Sequence, residues 1–141
     1  MPWVVDSCVV LDVALRDPRF GIASALCLEE LRSDGLTVCP ITAVEVAPQF
    51  GGSLANVRQL LRVPGAEPHP AWLDCDTERS AAVWARYVEM RRASNTPRRP
   101  VADILIGAYA TRFKGLVTRN PDHFCPYLPD LPIRVPPPPP A

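Results

Sequence analysis

The feature that most constrains the fold is an alternation of very short apolar runs with longer amphipathic segments. The first run is residues 3–5 (WVV), and others follow at LTVCP (36–40), LVT (116–118) and PIRV (132–135). Runs this short suit strands that are buried on both faces. Strands that alternate with helices favour a parallel sheet covered on both sides. The sequence therefore predicts an α/β domain with a central parallel sheet.

The segments between these runs carry helix signals. Pro18 stops the first helix, SCVVLDVALRD, and Gly35 ends the second, GIASALCLEELRSDG. ITAVEVAPQF is predicted to begin a helix at Thr42, and SLANVRQLLRVPG has Ser53 as its N-cap. DTERSAAVWARYVEMRRAS is the longest helical segment, and the apolar VADILIGAYATRFKG is predicted to be deeply buried and to end at Gly115.

Composition narrows the class of protein. The 141 residues fit one domain, predicted at 1–135, followed by a proline-rich tail at 136–141 that favours polyproline II. Fifteen basic and 15 acidic residues give zero net charge, so any surface that attracts nucleic acid must be local. The five cysteines form no CxxC pair, and no signal peptide or membrane-spanning run is evident. We expect a reduced, cytoplasmic protein without membrane contact.

Acidic or amide side chains interrupt apolar sequence at four places. Asp6 directly follows the first strand, and Asn120 and Asp122 follow the third. Glu45 lies within ITAVEVA, and Asp103 begins the buried helix. Ligands of parallel sheets bind beyond the carboxyl ends of the strands, which is where chemistry is expected here.

Each of these residues also has an ordinary structural explanation. Asp6 is a suitable helix N-cap, and Thr42 with Glu45 matches a capping box. Asp103 lies where a helix dipole favours an acid, and residues 120–122 read as the start of a short helical turn. If the acids do gather, two carboxylates about 4 Å apart repel by roughly 4 kcal/mol, which protons or a cation must relieve. Hard oxygen ligands suit Mg²⁺ or Mn²⁺.

Four blocks, in this order and spacing, carry a family resemblance: VVDSCVVLDV, ITAVEVA, RRPVADILIGAYA and LVTRNPDHF. From Val4 to about Val135 the chain resembles PIN-domain ribonucleases, and among them the VapC toxins of bacterial type II toxin–antitoxin pairs. The resemblance implies a three-layer α/β/α PIN-like fold with about four to five short parallel strands. It also implies Mg²⁺- or Mn²⁺-dependent cleavage of single-stranded RNA in an acidic pocket.

Carried over residue by residue, the family's first three acids fall on Asp6, Glu45 and Asp103. The fourth position, an acid in many members, is Asn120, and Asp122 is an alternative fourth ligand. We expect Asp6 and Asp103 to hold the metal, which would activate a water for attack on the phosphodiester. Two further residues, Ser7 and Thr118, are predicted to orient these ligands, although capping and strand-end roles explain them equally well.

RNA that approaches an acidic pocket requires basic residues nearby. Arg98 and Arg99 precede Asp103 closely and Arg119 adjoins Asn120, so these three arginines are predicted to contact RNA phosphates. A solvated helix face is the alternative explanation for the arginine-rich stretch. The family resemblance further implies a cognate VapB-like antitoxin and a homodimer. Apolar faces near residues 23–34 and 53–63 are wide enough for such a partner.

The sequence leaves other functions open. A PIN-fold module that binds RNA or protein without cutting is an alternative because the fourth acidic position is Asn120. A phosphotransfer domain is disfavoured, because DSCVV lacks the second acid of a phosphatase motif and Lys114 lies at a helix end. His123 is interpreted as a surface or capping residue, and the tryptophans as core residues: Trp3, Trp72 and Trp84.

Overall fold

The computed structural model describes residues 1–62, 71–94 and 98–139. Residues 63–65 of the predicted fourth helical segment and residues 140–141 of the tail lie outside these ranges. The described strands are β1 (Trp3–Val5), β2 (Leu36–Thr37), β3 (Gly115–Val117) and β4 (Ile133–Arg134). The described α-helices are α1 (Ser7–Ala14), α2 (Gly21–Leu31), α3 (Pro40–Val46), α4 (Leu54–Leu61), α5 (Asp74–Ala93) and α6 (Val101–Ala110).

The four strands form one parallel sheet in the order β2-β1-β3-β4. In the β1–β3 pair, Val4 lies beside Leu116 and Val5 beside Val117. Strand β2 lies on one side of β1, and β3 lies on the other side. The strand order therefore reverses at β1. In sheets of this kind, ligands bind beyond the carboxyl ends of the strands where the strand order reverses, which here is between β1 and β3.

Helices cover both faces of the sheet, which confirms the predicted α/β/α architecture with a parallel sheet. Successive β1 side chains point to opposite faces, as a strand requires. Trp3 and Val5 join the core beneath α1, α2 and α4, whereas Val4 joins the core beneath α5 and α6. The centre of β1 is fully buried on both sides, and this explains why its sequence is continuously apolar.

Several helix boundaries differ from the predicted ones. Helix α1 ends at Ala14, and Arg16 then adopts a left-handed conformation with φ of 52°. Helix α3 begins at Pro40 rather than Thr42, because proline at the first helical position needs no hydrogen-bond partner for its nitrogen. Helix α6 ends at Ala110 and not at Gly115.

Gly115 instead begins β3, where two neighbours leave no space for a side chain. A Cβ atom at this position would meet the Pro132 carbonyl oxygen and lie 2.6 Å from the Trp3 ring. Glycine is therefore required by the close approach of β1 and β4 to β3.

Candidate active site at the carboxyl edge of the sheet

Asp6 is the residue at which the chain leaves β1 and enters α1, and it is 6% exposed. Its Oδ1 accepts a hydrogen bond from the Ser7 backbone N–H at 2.8 Å, so Asp6 is indeed the N-cap of α1. Its Oδ2 accepts from the Thr118 hydroxyl at 2.8 Å, which ties the end of β1 to the end of β3. Burial raises the pKa of Asp6 above its ordinary value, and these hydrogen bonds only partly oppose that effect.

Glu45 reaches the same place from α3. Its Oε2 accepts a hydrogen bond from the Ser7 hydroxyl. Burial of the carboxyl group raises the pKa of Glu45, and the negative charges of Asp6 and Asp103 raise it further. Ser7 links Glu45 to Asp6 because it also donates its backbone N–H to Asp6, although Glu45 as a whole residue is exposed.

The capping box predicted for Thr42 and Glu45 is wrong. Cys39 is the N-cap of α3, and Thr42 lies inside the helix. The Thr42 side chain is fully buried, and its hydroxyl has no hydrogen-bond partner among the described residues. The Glu45 carboxylate is consequently available to Ser7 and is not used in capping its own helix.

Asp103 lies in the first turn of α6 and is 9% exposed. Its pKa is raised chiefly by burial and then by the charge of Asp6. His123 and Arg99 act in the opposite direction, and the His123 Nδ1 atom lies 3.3 Å from Asp103 Oδ2. We call Asp6, Glu45 and Asp103 together the acid cluster.

The two candidates for a fourth ligand differ in position. Asn120 directly follows the Thr118–Arg119 pair, and its backbone N–H donates to the Thr118 hydroxyl at 3.1 Å. Asp122 is exposed on the short 3-10 turn Pro121–His123. The Thr118 hydroxyl therefore connects Asn120 with Asp6. Asp122 has no comparable link to Asp6 in the described structure.

His123 was interpreted from the sequence as a surface or capping residue, but it contacts a member of the acid cluster. The turn that begins at Pro121 carries His123 back towards α6, where it contacts Asp103. The one signal in the sequence was its position three residues after Asn120, at the end of a turn that Pro121 initiates. An isolated histidine in a loop has no periodicity to indicate which way its ring points.

Ser7 and Thr118 hydrogen-bond to side chains of the acid cluster, and their predicted role in orienting ligands stays a prediction. Ser7 donates its hydroxyl to Glu45 and its backbone N–H to Asp6, so one residue contacts two members of the acid cluster. Thr118 is fully buried and connects Asp6 with Asn120. Both residues also serve as capping or strand-end groups, which means that the two explanations are compatible.

The predicted RNA-contacting arginines have different surroundings. Arg98 is exposed, and Arg99 is half-buried and close enough to Asp103 to lower its pKa. Arg119 instead forms a bidentate pair with the buried Asp12, at 2.6 and 3.0 Å, and its guanidinium lies 4.0 Å from the centre of the Phe20 ring. These contacts favour a structural role for Arg119.

The tryptophans also differ from one another. Trp3 is buried beneath α1 and α2, and Trp72 stacks against Tyr109 with ring centroids 5.8 Å apart. Trp84 is 39% exposed on α5, so its assignment to the core was wrong.

The acid cluster supplies oxygen donors, which are the ligands that Mg²⁺ and Mn²⁺ prefer. Within residues 1–62, 71–94 and 98–139, no three or more His, Cys, Asp and Glu side chains are already arranged to hold a metal ion. Both oxygens of Asp6 are engaged by protein donors, so a bound cation would share this carboxylate with Ser7 and Thr118.

No helix in the described ranges is both long and apolar enough to cross a lipid bilayer. In comparisons with known proteins, no family model matches the chain, and no curated protein sequence matches it significantly.

Proposed function

We propose that this protein is a Mg²⁺- or Mn²⁺-dependent endoribonuclease that cleaves single-stranded RNA, and that it acts as the toxin of a type II toxin–antitoxin pair. The observation that carries the proposal is the acid cluster. Three carboxylates from distant parts of the sequence face one region at the carboxyl edge of the sheet, and each has a raised pKa. Maintaining such mutually repelling groups is costly unless a cation or protons compensate their charge.

The donor set fits a hard divalent cation. Asp6 and Asp103 would hold it, and Glu45 with the Asn120 amide oxygen or Asp122 would complete its surroundings. When bound, such an ion counters the negative charge that develops on a scissile phosphate and makes a nearby water easier to deprotonate.

The remaining residues act on the acids. Thr118 fixes the orientation of Asp6 by donating to Oδ2, and Ser7 fixes Glu45 in the same way. His123 contacts Asp103 from the turn after β3, and Arg99 contributes positive charge on the side where the chain enters α6. These contacts limit the rotamers of the carboxylates, which reduces the reorganisation required when substrate binds.

The proposed protein partners would bind the helical layer that contains α2 and α4. Ile22 and Leu26 on α2 are 80% and 60% exposed, and Leu54 on α4 is 49% exposed. Exposed apolar side chains of this kind support binding of a helical segment of a VapB-like antitoxin, or formation of a homodimer.

The test is RNA cleavage by Asp6→Asn and Asp103→Asn variants in Mg²⁺ or Mn²⁺. We expect the cleavage rate to fall by roughly two orders of magnitude or more, because each change removes charge from the site where the phosphate reacts. Asparagine is a good N-cap, so Asp6→Asn should preserve the start of α1. The exposed Asp130→Asn variant is the control for carboxylate removal elsewhere. Full activity of Asp6→Asn would contradict the proposal.

A second candidate is an RNA- or protein-binding module of the same fold that does not cleave. The amide at Asn120, in place of a fourth carboxylate, favours it. The two candidates differ in their response to metal: thermal unfolding should shift upward with Mg²⁺ or Mn²⁺ for the nuclease, because a ligand that binds only the folded state stabilises it. An unchanged melting temperature with both ions, together with absence of cleavage, would favour the binding module.

A further inference from the structure

A shallow groove lies along α5, over the edge of the core residue Tyr87. It has a volume of about 310 Å³ and is lined by Trp84, Tyr87, Val88, Arg91 and Arg92. This volume is at the lower end of the usual range for small-ligand sites, about 300–1,000 Å³. The groove therefore has room for a single flat group.

Trp84 supplies the flat wall of this groove. The indole is 39% exposed, and its ring centroid lies 5.2 Å from that of the buried Tyr87 with an angle of 32° between the planes. The contact with Tyr87 limits the orientations of the indole while leaving part of its surface open to solvent. An aromatic face of this kind is a stacking surface for nucleobases, and every base has a face that can stack on it.

The other side of the groove is positively charged. Arg92 is exposed and Arg91 is half-buried, and the Nε atom of Arg91 is buried without a hydrogen-bond partner in the part of the chain that the structure describes. Glu89 is the one acid among residues 86–99. Guanidinium groups beside an aromatic ring can hold phosphates while the base stacks, which accounts for the pairing of these residue types in single-strand binding sites.

The groove is also linked directly to the approach to the acid cluster. The Tyr87 hydroxyl accepts a hydrogen bond of 2.6 Å from the Arg99 backbone N–H. Tyr87 therefore contacts Trp84 on one side and anchors the entry to α6 on the other. Arg99 in turn is near enough to Asp103 to influence its ionisation.

We propose that this groove is a binding subsite for one unpaired base of single-stranded RNA, which stacks on Trp84 while its flanking phosphates contact Arg91 and Arg92. The inference rests on the proposed ribonuclease function and assigns part of its substrate recognition. A second copy of the chain is a poorer occupant, because the apolar lining comes chiefly from Trp84 and Val88, whereas a stable interface buries about 800 Å² on each partner.

The experiment measures binding of a fluorescently labelled oligouridylate in EDTA, where metal-dependent cleavage is off. Trp84→Ala should weaken binding by about tenfold or more, because loss of one stacked base has an effect of that size. Trp84→Phe retains a ring and should bind within about threefold of the unaltered protein. Leu15→Ala removes an exposed apolar side chain at the end of α1 and is the matched control, with no expected effect.

A second pair of variants tests the charged side of the groove. Arg91→Ala combined with Arg92→Ala should weaken binding and reduce its salt dependence, because phosphate contacts release counterions. Arg58→Ala combined with Arg62→Ala, at two exposed arginines associated with α4, is the control for loss of two positive charges. Circular dichroism and thermal unfolding of each variant establish that the fold is retained.

Three results would overturn the inference: affinity of Trp84→Ala within twofold of the unaltered protein, equal loss with Trp84→Phe, or a change in oligomeric state without a change in affinity. Absence of any oligouridylate binding by the unaltered protein would also overturn it. Failure of the ribonuclease proposal is distinguishable, because it would appear as absence of Asp6-dependent cleavage in Mg²⁺ or Mn²⁺ while Trp84-dependent binding persists.

Discussion

Among single residues, Asp103 couples the stability of the metal-free protein to pH. Burial and the charge of Asp6 raise its pKa above the ordinary value of 3.8. Between the ordinary pKa and the raised pKa of the folded state, the folded protein therefore retains a proton on this carboxyl that the unfolded chain has released. The stabilising contribution is complete below the ordinary pKa and is lost as the pH rises through the folded-state pKa. The raised pKa values of Asp6 and Glu45 act with the same sign.

This linkage predicts that Asp103→Asn makes the metal-free protein more stable at neutral pH. A gain of about 1 kcal/mol in the free energy of unfolding corresponds to roughly 2–8 °C in melting temperature across ordinary domain sizes. The measurement is thermal unfolding in EDTA at pH 5 and pH 7, where the variant should also lose less stability on going to the higher pH. The exposed Asp130→Asn is the control, and a variant less stable than the unaltered protein at pH 7 would contradict the prediction.

Arg119 stabilises the folded protein by neutralising the charge of a buried carboxylate, Asp12. Asp12 is 3% exposed and accepts hydrogen bonds from Arg119 and from the Ser24 hydroxyl, the latter at 2.8 Å. Removal of the guanidinium would leave the carboxylate buried without a compensating positive charge. A role in folding therefore follows from the observed contacts, whereas RNA contact by Arg119 stays a prediction.

We expect Arg119→Ala to lower the free energy of unfolding by about 2–3 kcal/mol, less than the full loss for a wholly buried pair because Arg119 is partly exposed. Denaturant unfolding measures the difference. The double variant Arg119→Ala with Asp12→Asn should recover part of the loss, since it removes the unpaired charge. Unaltered stability of Arg119→Ala would show that the pair with Asp12 is energetically unimportant.

At the level of secondary-structure elements, the start of α3 determines what Glu45 can do. Because Pro40 is the first helical residue, Thr42 lies in the interior of the first turn and its side chain faces the core. A helix that began at Thr42 would have used Glu45 to cap itself. The observed N-cap, Cys39, precedes Thr42 by three residues, and this frees Glu45 to accept from Ser7 at the beginning of α1.

Thr42→Val tests this boundary. Loss of a true N-cap hydroxyl lowers stability by about 0.5–2 kcal/mol. In contrast, replacement of a buried hydroxyl that has no described partner by a methyl group of similar shape should leave the free energy of unfolding unchanged or raise it by about 1 kcal/mol. Denaturant unfolding distinguishes these outcomes, with Ser53→Ala, at the observed N-cap of α4, as the control that should lose stability.

For the whole molecule, charge is balanced overall but unevenly arranged. The formal net charge is zero, yet the arginine-rich stretch leads directly into α6 beside the acid cluster. An anionic substrate is consequently attracted only locally, and the screening length of about 8 Å in physiological salt limits attraction from more distant charges. RNA affinity should therefore depend on few arginines.

The corresponding prediction concerns Arg98→Ala combined with Arg99→Ala. We expect weaker RNA binding and a less steep dependence of log affinity on log salt, by about 0.7 for each phosphate of the single strand that the variant no longer neutralises. Fluorescence polarisation with oligouridylate in EDTA at several salt concentrations gives the slope. The matched control is Arg58→Ala combined with Arg62→Ala, and an unaltered slope for the Arg98/Arg99 variant would assign these two arginines to the solvated surface.

The sequence by itself determined the layout of this protein. Short apolar runs that alternate with helices favour a covered parallel sheet, and this prediction is confirmed by the parallel strand order β2-β1-β3-β4. Ser53 was correctly predicted as an N-cap, since its hydroxyl accepts from the Asn56 backbone N–H only three residues away. The positions of Asp6 after β1 and of Asp122 after β3 were likewise predicted from the sequence.

Only the tertiary structure decided which side chains meet. The contacts of Glu45 with Ser7, of His123 with Asp103 and of Arg119 with Asp12 join residues 38, 20 and 107 positions apart. Such contacts depend on where helices begin and on which way short turns direct a side chain, and local propensity determines neither to within a residue. The exposure of Trp84 was decided in the same way, because the face of α5 that meets the sheet is set by packing.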